Sequence, residues 1–102
     1  MKKLFATLAA LAFLASVAMA ASVDAKKLYT TRCIGCHGVD GAKKAPGSNA
    51  VLKGMSAQEV ETALQGYKAG NYGGGGKRIM ESQARNLDDE AIKGLAGYIA
   101  GF

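Results

Sequence analysis

The segment RCIGCHGVDG, residues 32–41, contains both cysteines and the single histidine of the 102-residue chain. Cys33, Cys36 and His37 form the pattern C-x-x-C-H. Residues three apart share one face of a helical turn, so both thiols can face the same group while the adjacent imidazole turns toward it. A chain of this length has room for one domain, and this segment decides what that domain is built around.

C-x-x-C-H is the pattern through which c-type haem is attached. The two thiols reach neighbouring vinyl groups of the porphyrin, and the histidine supplies a proximal ligand to the iron. A thioredoxin-like motif would require a βαβ context, and a zinc site would require four ligands. A disulfide between Cys33 and Cys36 would close a very small loop and would leave His37 without a role. The pattern therefore predicts one covalently bound haem c with its iron.

The first twenty residues, MKKLFATLAALAFLASVAMA, have the three parts of a secretory signal. Lys2 and Lys3 form a basic start, residues 4–17 form an apolar run, and residues 18–20 form an A-x-A cleavage site. A membrane anchor is the alternative, but a spanning helix needs about 18 apolar residues or more, and this run is shorter. We therefore expect a cleavable signal peptide at residues 1–20 and a soluble, periplasmic domain at residues 21–102.

The formal net charge of +5 does not indicate a nucleic-acid-binding protein. Binding to nucleic acid requires a dense basic face, whereas these lysines are spread along the chain and do not alternate with aromatic residues. No second apolar stretch approaches membrane-spanning length. We therefore expect a monomer that binds no nucleic acid and does not insert into a membrane after cleavage.

Capping residues and apolar spacing predict three main helices. The first covers residues 25–36 and follows the N-cap residue Asp24. A capping box at residues 56–59 begins the second helix, which ends at Gly70. Asp88 caps the last helix.

Two segments rich in turn residues separate these helices and are predicted to be loops, residues 38–55 and 71–87. The second loop contains four successive glycines, residues 73–76. Such a run indicates either a mobile loop or backbone that passes close to a flat ligand, where side chains would clash.

Beyond the haem motif, the chain resembles the class I cytochromes c, and among them the small bacterial cytochromes c-553. The resemblance covers nearly all of the mature chain, through LYTTRCIGCHG, GYKAGNYGG, KRIM and LAGYIAGF. It implies an all-α class I cytochrome c fold with three main helices around one haem, in which the first and last helices cross. The family usually has glycine at this crossing where the chain has Ala25. Gly94 and Gly97 are expected to make the room instead.

Two methionines beyond the signal are candidates for the second axial ligand, Met55 and Met80. A thioether ligand suits a low-spin electron carrier and raises its reduction potential. Met80 follows the glycine run and matches the ligand methionine of the cytochromes c-553, so the resemblance favours Met80. Met55 is expected to pack against Val60 of the second helix or to line the haem pocket.

Three further residues are expected near the haem. The free ring N–H of His37 needs an acceptor, and family members often use a proline carbonyl, so the resemblance points to Pro46. Stiffening of the loop is the alternative role for this proline. Tyr67 and Tyr72 are expected either to hydrogen-bond a haem propionate or to pack on the haem edge.

If both axial positions are filled, no site remains for a substrate, and the resemblance implies a periplasmic electron shuttle rather than an enzyme. The partners that it implies are redox proteins such as a cytochrome bc complex, a terminal oxidase or a periplasmic dehydrogenase. The alternative function is a haem-based sensor or binder of small ligands with a labile sixth position. A peroxidase-type enzyme would need a distal acid–base residue, and no histidine is left for that role.

One expectation for five basic residues is that they form a ring that attracts an acidic partner. They are Lys43, Lys44, Lys53, Lys77 and Arg78. The alternative is that these charges only keep the protein soluble.

Overall fold

The computed structural model describes residues 23–48 and 51–102, which form helices and loops with no strand among them. The helices of these residues are α1 (Ala25–Arg32), α2 (Ile34–His37), α3 (Ala57–Ala69), α4 (Lys77–Arg85) and α5 (Asp89–Ala100). The prediction of an all-α protein is confirmed. The predicted signal peptide lies outside the described residues. Within those residues, no helix is long and apolar enough to cross a membrane.

The residues that begin and end the main helices are those that the sequence predicts. The carboxylates of Asp24 and Asp88 each accept a hydrogen bond from a backbone N–H three residues further on. Ser56 and Glu59 form the reciprocal capping box at the start of α3. Gly70 ends α3 in the left-handed region, at φ 80°. These caps satisfy backbone groups that a helix end leaves without an intrahelical partner.

The predicted first helix is divided at Cys33, which separates α1 from α2 and has φ −115° and ψ −34°. Hydrogen bonding continues through the division. The Cys33 N–H donates to the Tyr29 carbonyl at 2.9 Å, and the His37 N–H donates to the Cys33 carbonyl at 3.0 Å. The predicted helix therefore covers nearly the right residues, but it is divided in two. Residues 34–37 of the haem motif form the short helix α2, and Cys33 precedes it.

Helix α4 lies in the segment predicted as a loop, so that prediction is wrong for residues 77–85. The segment KRIMESQAR consists mostly of good helix formers, and it begins after Gly76, whose φ of 78° starts a new chain direction. A helix this short is unstable alone, so tertiary packing must stabilise it. Ala84 supplies that packing, with no exposed surface, and Met80 packs against the core one turn earlier.

Helices α1 and α5 approach each other through small side chains. A Cβ placed on Gly94 of α5 would lie 3.5 Å from the Cβ of Ala25 on α1, which is ordinary van der Waals contact. The glycine of this crossing is therefore on the last helix instead of the first, as expected for Gly94. The expectation for Gly97 is wrong, because within the described structure a Cβ there would meet open space.

Three aromatic rings join α1 to the end of the chain. The ring centroid of Tyr29 lies 5.6 Å from that of Tyr98 and 5.0 Å from that of Phe102. Tyr29 is 1% exposed, and its hydroxyl donates to the Gly38 carbonyl at 2.6 Å. Because Gly38 directly follows His37, this bond holds the haem motif against the packed helices.

Replacing Tyr29 with phenylalanine is expected to lower the free energy of unfolding by about 1 kcal/mol. The ring stays, but the Gly38 carbonyl loses the hydroxyl donor at 2.6 Å and keeps only the longer bond from the Gly41 N–H at 3.5 Å. Urea unfolding of the wild type and the variant measures this difference.

The hydrogen bond from Tyr29 to the Gly38 carbonyl also predicts that the free energy of unfolding depends on pH. Burial, with smaller effects from Cys33 and Tyr98, raises the pKa of Tyr29 from 10.0 to about 12. A raised pKa means that the contribution is complete below pH 10 and is lost as the pH rises through about 12. The difference in stability between wild type and Tyr29→Phe should therefore shrink over that range. A difference that stays constant would contradict the role of the hydroxyl.

Candidate functional site

A cavity of about 1030 Å³, including its open mouth, lies between the helices and the two long loops. Ligand sites are typically concave and mostly apolar with a few polar groups, and this cavity fits that description. Its wall is mostly apolar and includes Leu28, Leu52, Val60, Leu64, Leu95 and Ile99. A wall of this kind excludes water from a flat, largely apolar ligand.

His37 ends α2 and lines the cavity with 9% of its surface exposed. Burial lowers the pKa of His37, which favours the neutral imidazole that binds metals. Its Nδ1 atom is buried and has no hydrogen-bond partner in the described structure. The predicted bond to the Pro46 carbonyl is therefore not present. Pro46 lines the same cavity, but its carbonyl oxygen lies against Gly76, 2.9 Å from where a Cβ of Gly76 would be.

The two cysteines occupy one helical turn but differ in exposure. Cys33 is half-buried and lines the cavity, whereas Cys36 is exposed and lies outside the cavity wall. No disulfide joins them. Burial raises the pKa of the Cys33 thiol, against the opposing effect of the neighbouring Arg32 charge. The structure thus brings Cys33 and His37 into the cavity and leaves Cys36 beside it.

Both candidate methionine ligands reach the cavity. Met80 extends from α4 and Met55 from the turn before α3, and each is half-buried against the core. The second predicted role of Met55, lining of the pocket, agrees with this position. Burial does not choose between the two sulfur atoms, so the preference for Met80 still rests on the sequence resemblance.

Tyr67 and Tyr72 form an edge-to-face pair in the cavity wall, with ring centroids 4.9 Å apart. Burial raises the pKa of Tyr67, and the Tyr72 hydroxyl adds to that effect. The position of the pair agrees with packing on the edge of a ligand. The propionate hydrogen bond stays a prediction.

Sequence reasoning missed three polar residues in the cavity wall, Arg32, Ser48 and Gln83. Arg32 directly precedes the first cysteine, and its position beside the motif was a usable signal. Gln83 lies three residues after Met80, and that spacing has meaning only once residues 77–85 are known to be helical.

The glycine run passes against the loop that follows the haem motif. A Cβ placed on Gly75 would overlap the carbonyl of Gly47, and one on Gly47 would lie 3.4 Å from the Gly76 nitrogen. One of the two predictions for the glycine run was that its backbone passes close to a flat ligand. The glycines do allow a close approach, but in the described structure the neighbour is the backbone at Gly47. This contact joins the loop after His37 to the loop before Met80.

Replacing Gly75 with alanine is expected to lower the free energy of unfolding by about 1–3 kcal/mol, because the backbone must move away from the Gly47 carbonyl. Gly74→Ala is the matched control, since a Cβ there meets nothing within 4 Å of the described structure. Thermal unfolding of the two variants compares them. Equal melting temperatures for the two variants would show that the close approach of Gly75 to Gly47 does not contribute to the stability of the protein.

The geometry of the site agrees with a comparison of whole sequences. A family model for cytochrome c matches residues 22–101. The chain belongs to the cytochrome c family.

Several relatives named cytochrome c-553 are similar over most of the chain. The protein of Nitratidesulfovibrio vulgaris is 45% identical over 92 residues, which cover 90% of this chain and 87% of the relative. The protein of Helicobacter pylori strain J99 is 41% identical over 99 residues, 97% of this chain and 96% of the relative. The protein of Desulfomicrobium norvegicum is 45% identical over 74 residues, 72% of this chain and 90% of the relative.

Membership of the cytochrome c family makes the chain a monohaem electron carrier and not an enzyme. Its cofactor is covalently bound haem c with its iron. The residues present fit that group, because two cysteines that form no disulfide and an imidazole whose pKa is lowered by burial lie on one turn beside a mostly apolar cavity. The predictions of family, fold, cofactor and electron-carrier function are therefore confirmed.

Proposed function

We propose that this electron carrier holds its haem through thioether bonds at Cys33 and Cys36 and ligates the iron through His37 and Met80. The observation that carries the proposal is that Cys33 and His37 of the haem motif line one apolar cavity together with Met80 of α4. When bound, the haem iron supplies the reversible gain and loss of one electron.

Each of these side chains contributes a distinct property. The cysteines tether the group, so it does not depend on axial bonds alone to stay in place. The neutral His37 imidazole donates a lone pair to the metal, and the Met80 thioether favours the reduced state. The apolar wall limits access of water, which also raises the reduction potential.

A redox titration followed by absorption spectroscopy tests this ligation against a vacant or labile sixth position. Methionine ligation predicts a methionine-to-iron charge-transfer band in the oxidised protein, together with a low-spin spectrum in both states. A high-spin spectrum without that band would favour the alternative, a haem-based sensor or binder of small ligands.

We further propose that the protein acts in the periplasm. The support is the signal pattern of residues 1–20. Expression of the full chain with its own N-terminus, followed by mass measurement of the periplasmic product, tests this. A haem-loaded product that begins near residue 21 is expected. A product retained in the cytoplasm with residues 1–20 attached would contradict it.

The proposed partners are redox proteins such as a cytochrome bc complex, a terminal oxidase or a periplasmic dehydrogenase. All five candidate docking residues are exposed. Lys53 lies 3.5 Å from the Asp40 carboxylate, and Lys43 donates to the Gly35 carbonyl at 3.3 Å, so part of their charge is engaged locally. Lys77 and Arg78 directly precede the half-exposed Ile79 and are the stronger candidates for contact with an acidic partner.

Reversing Lys77 and Arg78 to glutamate is expected to slow electron transfer to a physiological acceptor at low salt, by about tenfold or more, because rim charges act mainly on association rate. The defect should shrink as salt rises, since screening acts over about 8–10 Å at physiological ionic strength. Stopped-flow kinetics at several salt concentrations measures it.

The matched control reverses Lys26 and Lys93, which are exposed and lie outside the cavity wall. This control makes the same change in net charge at another surface. Equal rates for the two double variants would remove Lys77 and Arg78 from the docking surface.

A further inference from the structure

Helix α2 ends at the proposed iron ligand, and the end of this helix is closed by groups from outside it. The helix has four residues, Ile34–His37, and Gly38 then turns the chain away at φ 84°. A helix this short is unstable alone. Its last carbonyls have no partner further along the helix, so the stability of this turn depends on donors from other segments.

Lys43 supplies two of those donors. Its backbone N–H donates to the His37 carbonyl at 3.2 Å, and its side-chain Nζ donates to the Gly35 carbonyl at 3.3 Å. Its Cβ lies 3.0 Å from where a Cβ of Gly38 would be, so the chain returns directly over the end of α2. The carbonyls at the C-terminal end of a helix favour a cation at this position.

The position of Lys43 is fixed by the packing of the loop that carries it. Gly41, two residues earlier, is buried, and a Cβ there would lie 2.8 Å from the Phe102 ring and 2.9 Å from the Leu52 Cβ. The Gly41 carbonyl accepts from the backbone N–H groups of Leu52 and Lys53, at 2.8 Å and 3.0 Å. The loop therefore holds the backbone of Lys43 against α2, and the side chain has only the last turn of the helix to span.

The next residue, Lys44, differs from Lys43 although both side chains are exposed. Within the described residues, no hydrogen bond or ion pair engages the Lys44 side chain. The two lysines carry the same charge one residue apart, so contact with α2 is what distinguishes them.

We propose that Lys43 is a positioning residue of the haem site, which closes the end of α2, fixes the orientation of the His37 imidazole and favours the reduced protein through its charge. The inference rests on the proposed ligation by His37. The backbone bond of Lys43 holds the residue that carries the imidazole, and its ammonium lies on the helical turn that ends with His37. Oxidised iron carries one more positive charge than reduced iron, so a cation held at this turn disfavours the oxidised state.

Lys43→Met tests the proposal, because it removes the charge and the side-chain donor and keeps an unbranched apolar stem. At a fixed electrode potential, the ratio of reduced to oxidised protein is expected to fall about two- to threefold, a small effect because the charge is exposed. The paramagnetically shifted haem-methyl resonances of the oxidised protein should also move, since they depend on the orientation of the imidazole plane. Lys43→Arg keeps the charge and the N–H donors and should restore both quantities. Lys44→Met makes the same change in net charge and should leave both close to the wild-type values.

Equal changes in Lys43→Met and Lys44→Met would overturn the proposal, because Lys43 would then act only as one of several surface charges. An unchanged ratio or unmoved resonances in Lys43→Met would also overturn it, since the first excludes an effect on the reduced state and the second excludes positioning of the imidazole. Failure of His37 ligation is recognised separately, because the oxidised wild type would then lack paramagnetically shifted resonances from the His37 ring.

Discussion

Replacing Met80 with alanine is expected to convert the oxidised protein from low spin to high spin and to abolish its methionine-to-iron band. Alanine has no donor atom, so the sixth position loses its thioether. The midpoint potential should fall by on the order of 100 mV or more, which for one electron is roughly a 50-fold change in equilibrium. Absorption spectra of both redox states and a potentiometric titration measure these changes.

Met55→Ala is the matched control, because Met55 also reaches the cavity and packs against the core. Loss of its half-buried side chain should cost about 2 kcal/mol of stability and leave the low-spin spectrum in place. If Met55→Ala becomes high spin while Met80→Ala keeps the band, the two methionines have the opposite roles.

Replacing both Cys33 and Cys36 with alanine is expected to abolish covalent attachment. Acid–acetone extraction should then move essentially all of the haem into the organic phase, whereas the wild type should retain it in the protein. Burial of the macrocycle contributes on the order of 10 kcal/mol before entropy is subtracted, so protein that has lost haem should also be largely unfolded. Extraction with absorbance of both phases, together with circular dichroism, gives the two readouts.

Val39→Ala is the control for that experiment, because Val39 follows the motif closely and is 76% exposed. It should retain its haem and its helical signal. Release of free haem from the wild type under the same treatment would contradict thioether attachment at Cys33 and Cys36.

Local features of the chain were readable from the sequence because their partners are close along it. The caps at Asp24 and Asp88 bond to backbone groups three residues away, and the haem motif is a contiguous pentapeptide. Helix α4 was missed because intrinsic propensity alone does not stabilise nine residues after a glycine run. Its stability comes from tertiary contacts such as those of the fully buried Ala84, and no local sequence pattern predicts these contacts.

For the functional site too, the features that are local in the sequence could be predicted and those set by tertiary packing could not. The cysteines and His37 could be placed together from their spacing, and the family resemblance directed attention to Met80. The orientation of the Pro46 carbonyl toward Gly76 rather than the His37 ring depends on how two distant loops meet. The position of Gln83 in the cavity wall depends on the packing of α4.

The sequence by itself determined the cofactor, the family and the helical class, because covalent haem attachment needs two thiols and an imidazole at short, fixed spacing. Only the tertiary structure decided which small residue opens the helix crossing, where Gly94 meets Ala25. It also decided that Gly75 and Gly76 admit the backbone near Gly47. Both outcomes depend on distances between segments far apart in the chain, which are set by the packing of the whole core and not by the residues of either segment alone.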